Sequence, residues 1–78
     1  MSPNINLSQL APGEMGRVEK LRNDNPIKTR LTDLGFYPGE AVKVLFRAVC
    51  GDPTAYLVQN SVIALRRTEA EKIDISPI

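Results

Sequence analysis

The 78-residue chain contains no histidine, no tryptophan and a single cysteine, Cys50. Without histidine it lacks the side chain that titrates near neutral pH and is the commonest transition-metal ligand. One thiol can form neither an internal disulfide nor a multi-thiolate metal site, so nothing ties the fold to an oxidising compartment. Aromatic residues are confined to Phe36, Tyr37, Phe46 and Tyr56. No apolar run approaches the ~20 residues that span a bilayer, and the opening Met1-Ser2-Pro3-Asn4 has neither the basic nor the apolar region of a leader. The expectation is a cytoplasmic protein that meets a membrane only indirectly.

Charge of either sign is also in short supply as a net quantity. Ten basic against nine acidic residues leave +1, far from the basic excess of a dedicated nucleic-acid binder. One local bias stands out: Arg17, Lys20, Arg22, Lys28 and Arg30 against Glu19 and Asp24. A solvated charged face accounts for it; a small nucleic-acid-binding barrel using the stretch Arg17–Arg30 is the rival reading.

Catalytic constellations are missing too. The serines and Cys50 have no imidazole to activate them, and the acids are scattered rather than paired across a cleft. Neither G-x-G-x-x-G nor G-x-x-x-x-G-K-[ST] occurs. Asp24, Asp33 and Asp52 have no spacing that asks for a metal. The chain is therefore read as no enzyme, with no cofactor and no metal ligands of its own, although a metal-sensing domain is a further rival. Cys50, just before Gly51, reads as a small buried apolar residue.

What the chain does contain is strand and turn signals at close spacing. At this length one domain is expected, residues 1–78 with a core from about 5 to 76, able to bury only about 60% of the unfolded surface. Ala11-Pro12-Gly13 and Tyr37-Pro38-Gly39 mark turns. Met15–Arg22 reads as a strand whose three-residue apolar spacing implies a bulge. Asn25 as cap and Pro26 at the first helical position open a helix of about ten residues. Ile27, Leu31 and Leu34 line one face of it, and Gly35 stops it. From Glu40 to Arg47, Val42, Val44 and Phe46 alternate with Ala41, Lys43, Leu45 and Arg47, predicting a strand with the first set inward. Thr54–Gln59 and Val62–Arg66 form a hairpin through Asn60-Ser61. Glu69 and Ala70 permit one helical turn, and Lys72–Ile75 closes the chain as a strand. Five short strands and one short α-helix predict a mainly β, small antiparallel barrel, because closure removes exposed edges.

Taken together, Leu7-Ser8-Gln9-Leu10-Ala11-Pro12-Gly13, Arg30-Leu31-Thr32-Asp33-Leu34-Gly35-Phe36-Tyr37-Pro38-Gly39, Gly51-Asp52-Pro53 and Ile63-Ala64-Leu65-Arg66-Arg67-Thr68-Glu69-Ala70 resemble the ferrous iron transport protein A (FeoA) family. The resemblance implies an SH3-like barrel and an accessory role in bacterial ferrous iron uptake. It also implies a partner, the cytosolic GTP-binding region of the transporter FeoB, with self-association left open. Asn60-Ser61 departs from the glycine expected in that hairpin, a place polar turn residues can fill. Similar domains end iron-dependent repressors, but no helix-turn-helix fits in these residues.

A chain so poor in reactive and ligating groups is expected to act by contact. The residues expected to make it are Lys28, Thr32, Phe36, Tyr37, Leu45 and Arg47. Phe36 and Tyr37 would give apolar anchor area, unless they plug the barrel end. Leu45 would be a secondary contact on the outward strand face it shares with Lys43 and Arg47. Lys28 and Arg47 would give rim charge that speeds encounter with an acidic partner.

Overall fold

The computed structural model describes residues 5–22 and 27–78. Within them lie six strands: β1 (Ile5–Asn6), β2 (Met15–Leu21), β3 (Ala41–Arg47), β4 (Thr54–Val58), β5 (Ser61–Leu65) and β6 (Ile73–Pro77). Two helices, α1 (Lys28–Leu34) and α2 (Arg67–Ala70), and a 3-10 turn at Leu7–Gln9 complete the elements. Every strand pair is antiparallel, and the hydrogen-bonded order is β1-β6-β2-β3-β4-β5. The five strands expected are all present. The sixth is the two-residue β1, which the 3-10 turn cuts short: Asn6 Oδ1 accepts the Ser8 N–H at 3.1 Å, and Gln9 Oε1 accepts the Asn6 N–H at 2.8 Å.

The sheet wraps a single core of Leu7, Leu10, Val18, Leu31, Phe36, Val42, Val44, Tyr56, Val58, Leu65, Ala70, Ile73 and Ile75 with their neighbours. Apolar burial of this kind contributes about 25 cal/mol for each Å² withdrawn from water, and one such cluster is what a chain of this length can build. The bulge expected in β2 falls at Glu19, between the pairs Val18–Ile75 and Lys20–Asp74. It explains the three-residue apolar spacing, since the extra residue restores Leu21 to the inner face.

α1 buries Leu31 and half-buries Leu34, with Ile27 packed against the core. It ends at Gly35, with φ +111°, whose N–H reaches the carbonyls of Leu31 and Thr32. A side chain there would be strained by the backbone, and a Cβ would meet Gln59 Oε1 at 2.8 Å. The helix begins at Lys28, later than expected, with Ile27 as the flanking residue and no side-chain cap. Asn25 and Pro26, named above as the start signal, lie outside the described residues.

Three sequence expectations are corrected. The β4–β5 hairpin turns through Gln59-Asn60, not Asn60-Ser61, because Val58 pairs with Ser61. Both turn residues have positive φ, 49° and 63°, as a two-residue turn matched to strand twist requires. Cys50 is exposed, not buried; it sits in the β3–β4 connection, its thiol donating to the Asp52 carbonyl at 3.0 Å. Phe46 points outward and is 60% exposed, for a reason that bears directly on the candidate site.

Candidate functional site

Leu45 is a bulge. Val44 pairs with Tyr56 and Phe46 with the very next residue back, Ala55, so Leu45 has no partner of its own on β4. A bulge of one residue exchanges the faces beyond it. Val42 and Val44 point into the core as the alternation predicts, but after Leu45 the order reverses: Phe46 leaves the core and Arg47 enters the inner side. Arg47 pairs with buried Thr54, and directly paired residues share a face. Register thus moves Arg47 from the face of Lys43 to that of Thr54, although it stays exposed at the strand's end, and Leu45 itself is half-buried.

Arg47 is also occupied. Its Nη2 donates to the Leu10 carbonyl at 2.6 Å and lies 3.4 Å from the Ser8 carbonyl. The guanidinium clips the 3-10 segment to the end of β3 instead of standing free as rim charge.

Phe36 is fully buried, 0% exposed, and belongs to the core. It contributes no contact area; of the two alternatives, it plugs the structure beneath α1. The backbone explains this, since the Phe36 N–H donates to the Leu31 carbonyl at 3.0 Å and carries the chain back under the helix. Tyr37, next in sequence, is 41% exposed. Lys28 is exposed on α1, and half-buried Thr32 gives its hydroxyl to the Lys28 carbonyl at 3.0 Å.

Lys28, Thr32 and Tyr37 therefore belong to the α1 end, whereas Leu45 and Arg47 lie at the far end of β3. The two ends of β3, Ala41 and Arg47, are six strand steps apart, about 20 Å at the usual rise. The structure does not bring the expected residues into one patch.

It assembles another. Register aligns Met15, Lys43, Leu57 and Val62 straight across β2, β3, β4 and β5, and aligns Phe46, Ala55 and Ala64 beside them. All seven share the outer face. Met15, Phe46 and Val62 are exposed large hydrophobics, Val62 at 63%, and Leu57 is half-buried. The face reaches β5, an edge strand. One cation, Lys43, sits within it. The sequence held a partial signal: placing the hairpin turn one residue earlier pairs Leu57 with Val62. The bulge that adds Phe46 has no comparable mark.

Electrostatically, the basic stretch is partly tied down. Arg17 Nη1 donates to the Gly39 carbonyl at 2.7 Å, and Arg22 pairs with Asp74 at 3.0 Å. Among the described residues no three His, Cys, Asp or Glu side chains come together as a metal-ligand group, and no helix is long and apolar enough to cross a membrane. Burial pushes the Tyr56 phenol above its ordinary value, helped by the Asp52 charge and opposed in part by a hydrogen bond with Thr54 and by the Arg47 charge.

This architecture has solved counterparts. The FeoA protein of Chlorobium tepidum superposes with a TM-score of 0.88 at 32% identity, covering 95% of this chain and 70% of that one. The FeoA of Stenotrophomonas maltophilia, solved in complex with zinc and described as a procaryotic SH3 domain protein, gives 0.83 at 30% identity over 92% and 89%. The SH3-like class expected for the small antiparallel barrel is therefore the one this sheet adopts. Among curated proteins, the chain is 27% identical over 74 residues to a Porphyromonas gingivalis fusion of Fe(2+) transport protein A with the Fe(2+) transporter FeoB. That match takes in 95% of this chain but only 9% of the fusion protein's length. The FeoA domain model matches residues 5–77, and with it the chain belongs to the FeoA family.

Proposed function

We propose that the chain is a cytoplasmic accessory protein of bacterial ferrous iron uptake that works by touching the cytosolic GTP-binding region of FeoB, with no covalent chemistry of its own. The observation that carries this reading is the fused relative, in which a FeoA sequence shares one polypeptide with FeoB. Joining two modules raises their effective concentration toward one another, which is useful only if they meet.

The outer face of β2–β5 suits such a contact. Met15, Phe46, Leu57 and Val62 supply apolar area on a rigid sheet, and Lys43 supplies a charge that steers an acidic partner. Tyr37, with Lys28 and Thr32, forms a smaller, separate contact at the α1 end. The test is calorimetric titration of FeoB's cytosolic domain with this protein, with GTP turnover followed in parallel. Binding that Val62→Asp abolishes and Tyr37→Ser only weakens supports the assignment. Binding unaffected by Val62→Asp removes the outer face, and no binding by the unaltered protein removes the partner.

A further inference from the structure

At the end of the sheet opposite α1 lies a cavity of about 320 Å³ lined by Ser8, Arg47, Gly51, Thr54, Tyr56 and Arg67. None of the six is acidic. Two are arginines, Arg47 at the end of β3 and the largely exposed Arg67 at the start of α2.

The bulge at Leu45 is what aims Arg47 here, since it turns the side chain from the outer to the inner face. Bulges that re-aim one side chain recur beside functional sites. The guanidinium is held in place by the Leu10 and Ser8 carbonyls through Nη2 alone, which leaves Nε and Nη1 without a hydrogen-bond partner among the described residues. Among the described residues no carboxylate lies within ion-pair distance of it. Thr54 and Tyr56, both buried, bring two hydroxyls to the lining, each with a hydrogen it can donate. Ser8 gives its own hydroxyl hydrogen to Asn6, so it shapes the wall without donating. Two acids stand close to the lining: Asp52 Oδ1 takes the Arg67 backbone N–H at 2.8 Å and its charge also acts on the Tyr56 phenol, and Glu71 pairs with Arg67 Nε at 3.6 Å.

Two arginines and hydroxyl donors, with no acid among the lining residues themselves, are complementary to a tetrahedral oxyanion. The size is at the lower limit of small-molecule pockets, about 300 Å³. We propose that this cavity is an oxyanion site that takes a phosphate group, either free phosphate or the phosphate end of a small phosphorylated molecule. The site is independent of the contact face on the outer side of the sheet.

The experiment titrates the full chain with inorganic phosphate, and in a second arm with adenosine monophosphate, at constant ionic strength set by chloride. Backbone amide shifts and melting temperature are followed together. Shifts confined to Ser8, Gly51, Thr54, Tyr56 and Arg67, with a rise in melting temperature, are expected. Arg67→Gln, an exposed position whose loss spares the core, should weaken binding about tenfold or more, as for one charge-assisted hydrogen bond. Lys43→Gln on the outer face should leave it unchanged. Tighter binding of the nucleotide at the same amides identifies a phosphorylated molecule as the source; equal binding identifies free phosphate. No response up to about 10 mM in either arm, a limit weaker than useful affinity, overturns the site. So does a response that Arg67→Gln and Lys43→Gln share alike.

Discussion

The two ends of the sheet are finished in opposite ways. At one, α1 folds over and Phe36 fills the space beneath it with an aromatic ring fully withdrawn from solvent. At the other, Arg47, Arg67, Thr54 and Tyr56 surround a polar cavity, and a guanidinium clipped to backbone carbonyls does the closing. A plugged end contributes stability through apolar burial. A polar end costs desolvation unless its groups are hydrogen-bonded. The difference separates scaffold from surface in a molecule too small to keep them in different domains.

Substitutions can break that contrast in graded fashion. Phe36→Ala at the plugged end should lower unfolding free energy by about 3–5 kcal/mol, the usual range for a buried aromatic. Arg67→Ala at the open end should stay within about 0.5 kcal/mol, as an exposed position does. Chemical denaturation of both variants checks the pair. Gly35→Ala should come next, at about 1–3 kcal/mol, because its φ of +111° disfavours any Cβ. The adjoining Gln59 side chain can move aside, so Gln59→Ala should relieve little of that loss, which a double-mutant cycle measures.

At the open end, Arg47→Met should cost about 1–2 kcal/mol by leaving the Leu10 and Ser8 carbonyls without their donor. Amide exchange should quicken in the Leu7–Leu10 segment while strands β2 and β6 keep their protection. Smallest and most specific is a pH effect at Tyr56. Its folded-state phenol holds the proton above the pH at which the unfolded chain releases it. That stabilisation is intact below about pH 10 and declines as pH rises through the folded value. Melting curves across the alkaline range should show this decline in the unaltered protein and not in Tyr56→Phe.

Most strands, the β2 bulge, the α1 stripe and its glycine stop were legible because each rests on local periodicity or a local φ requirement. Gly35 is the plainest case: an apolar face ends and the residue most tolerant of positive φ follows. The outer half of β3 was not legible. Alternation through Val42, Val44 and Phe46 is unbroken in sequence, and a bulge at Leu45 is decided by pairing with β4, a non-local term. That single slip moved Phe46 out and Arg47 in. Phe36 was ambiguous for a related reason, since a turn residue's burial depends on how the chain re-enters beneath α1. Register across strands, which joins Met15 to Val62 over most of the chain length, has no one-dimensional signature.

Contact through the outer face of β2–β5 is the proposal on which the function rests. Mapping amide perturbations on the isotope-labelled chain as FeoB's cytosolic domain is added tests it most directly. The account predicts changes centred on Met15, Lys43, Phe46, Leu57 and Val62, with the Ile73–Pro77 strand undisturbed. Perturbation centred on β6, or none at saturating partner, would contradict it.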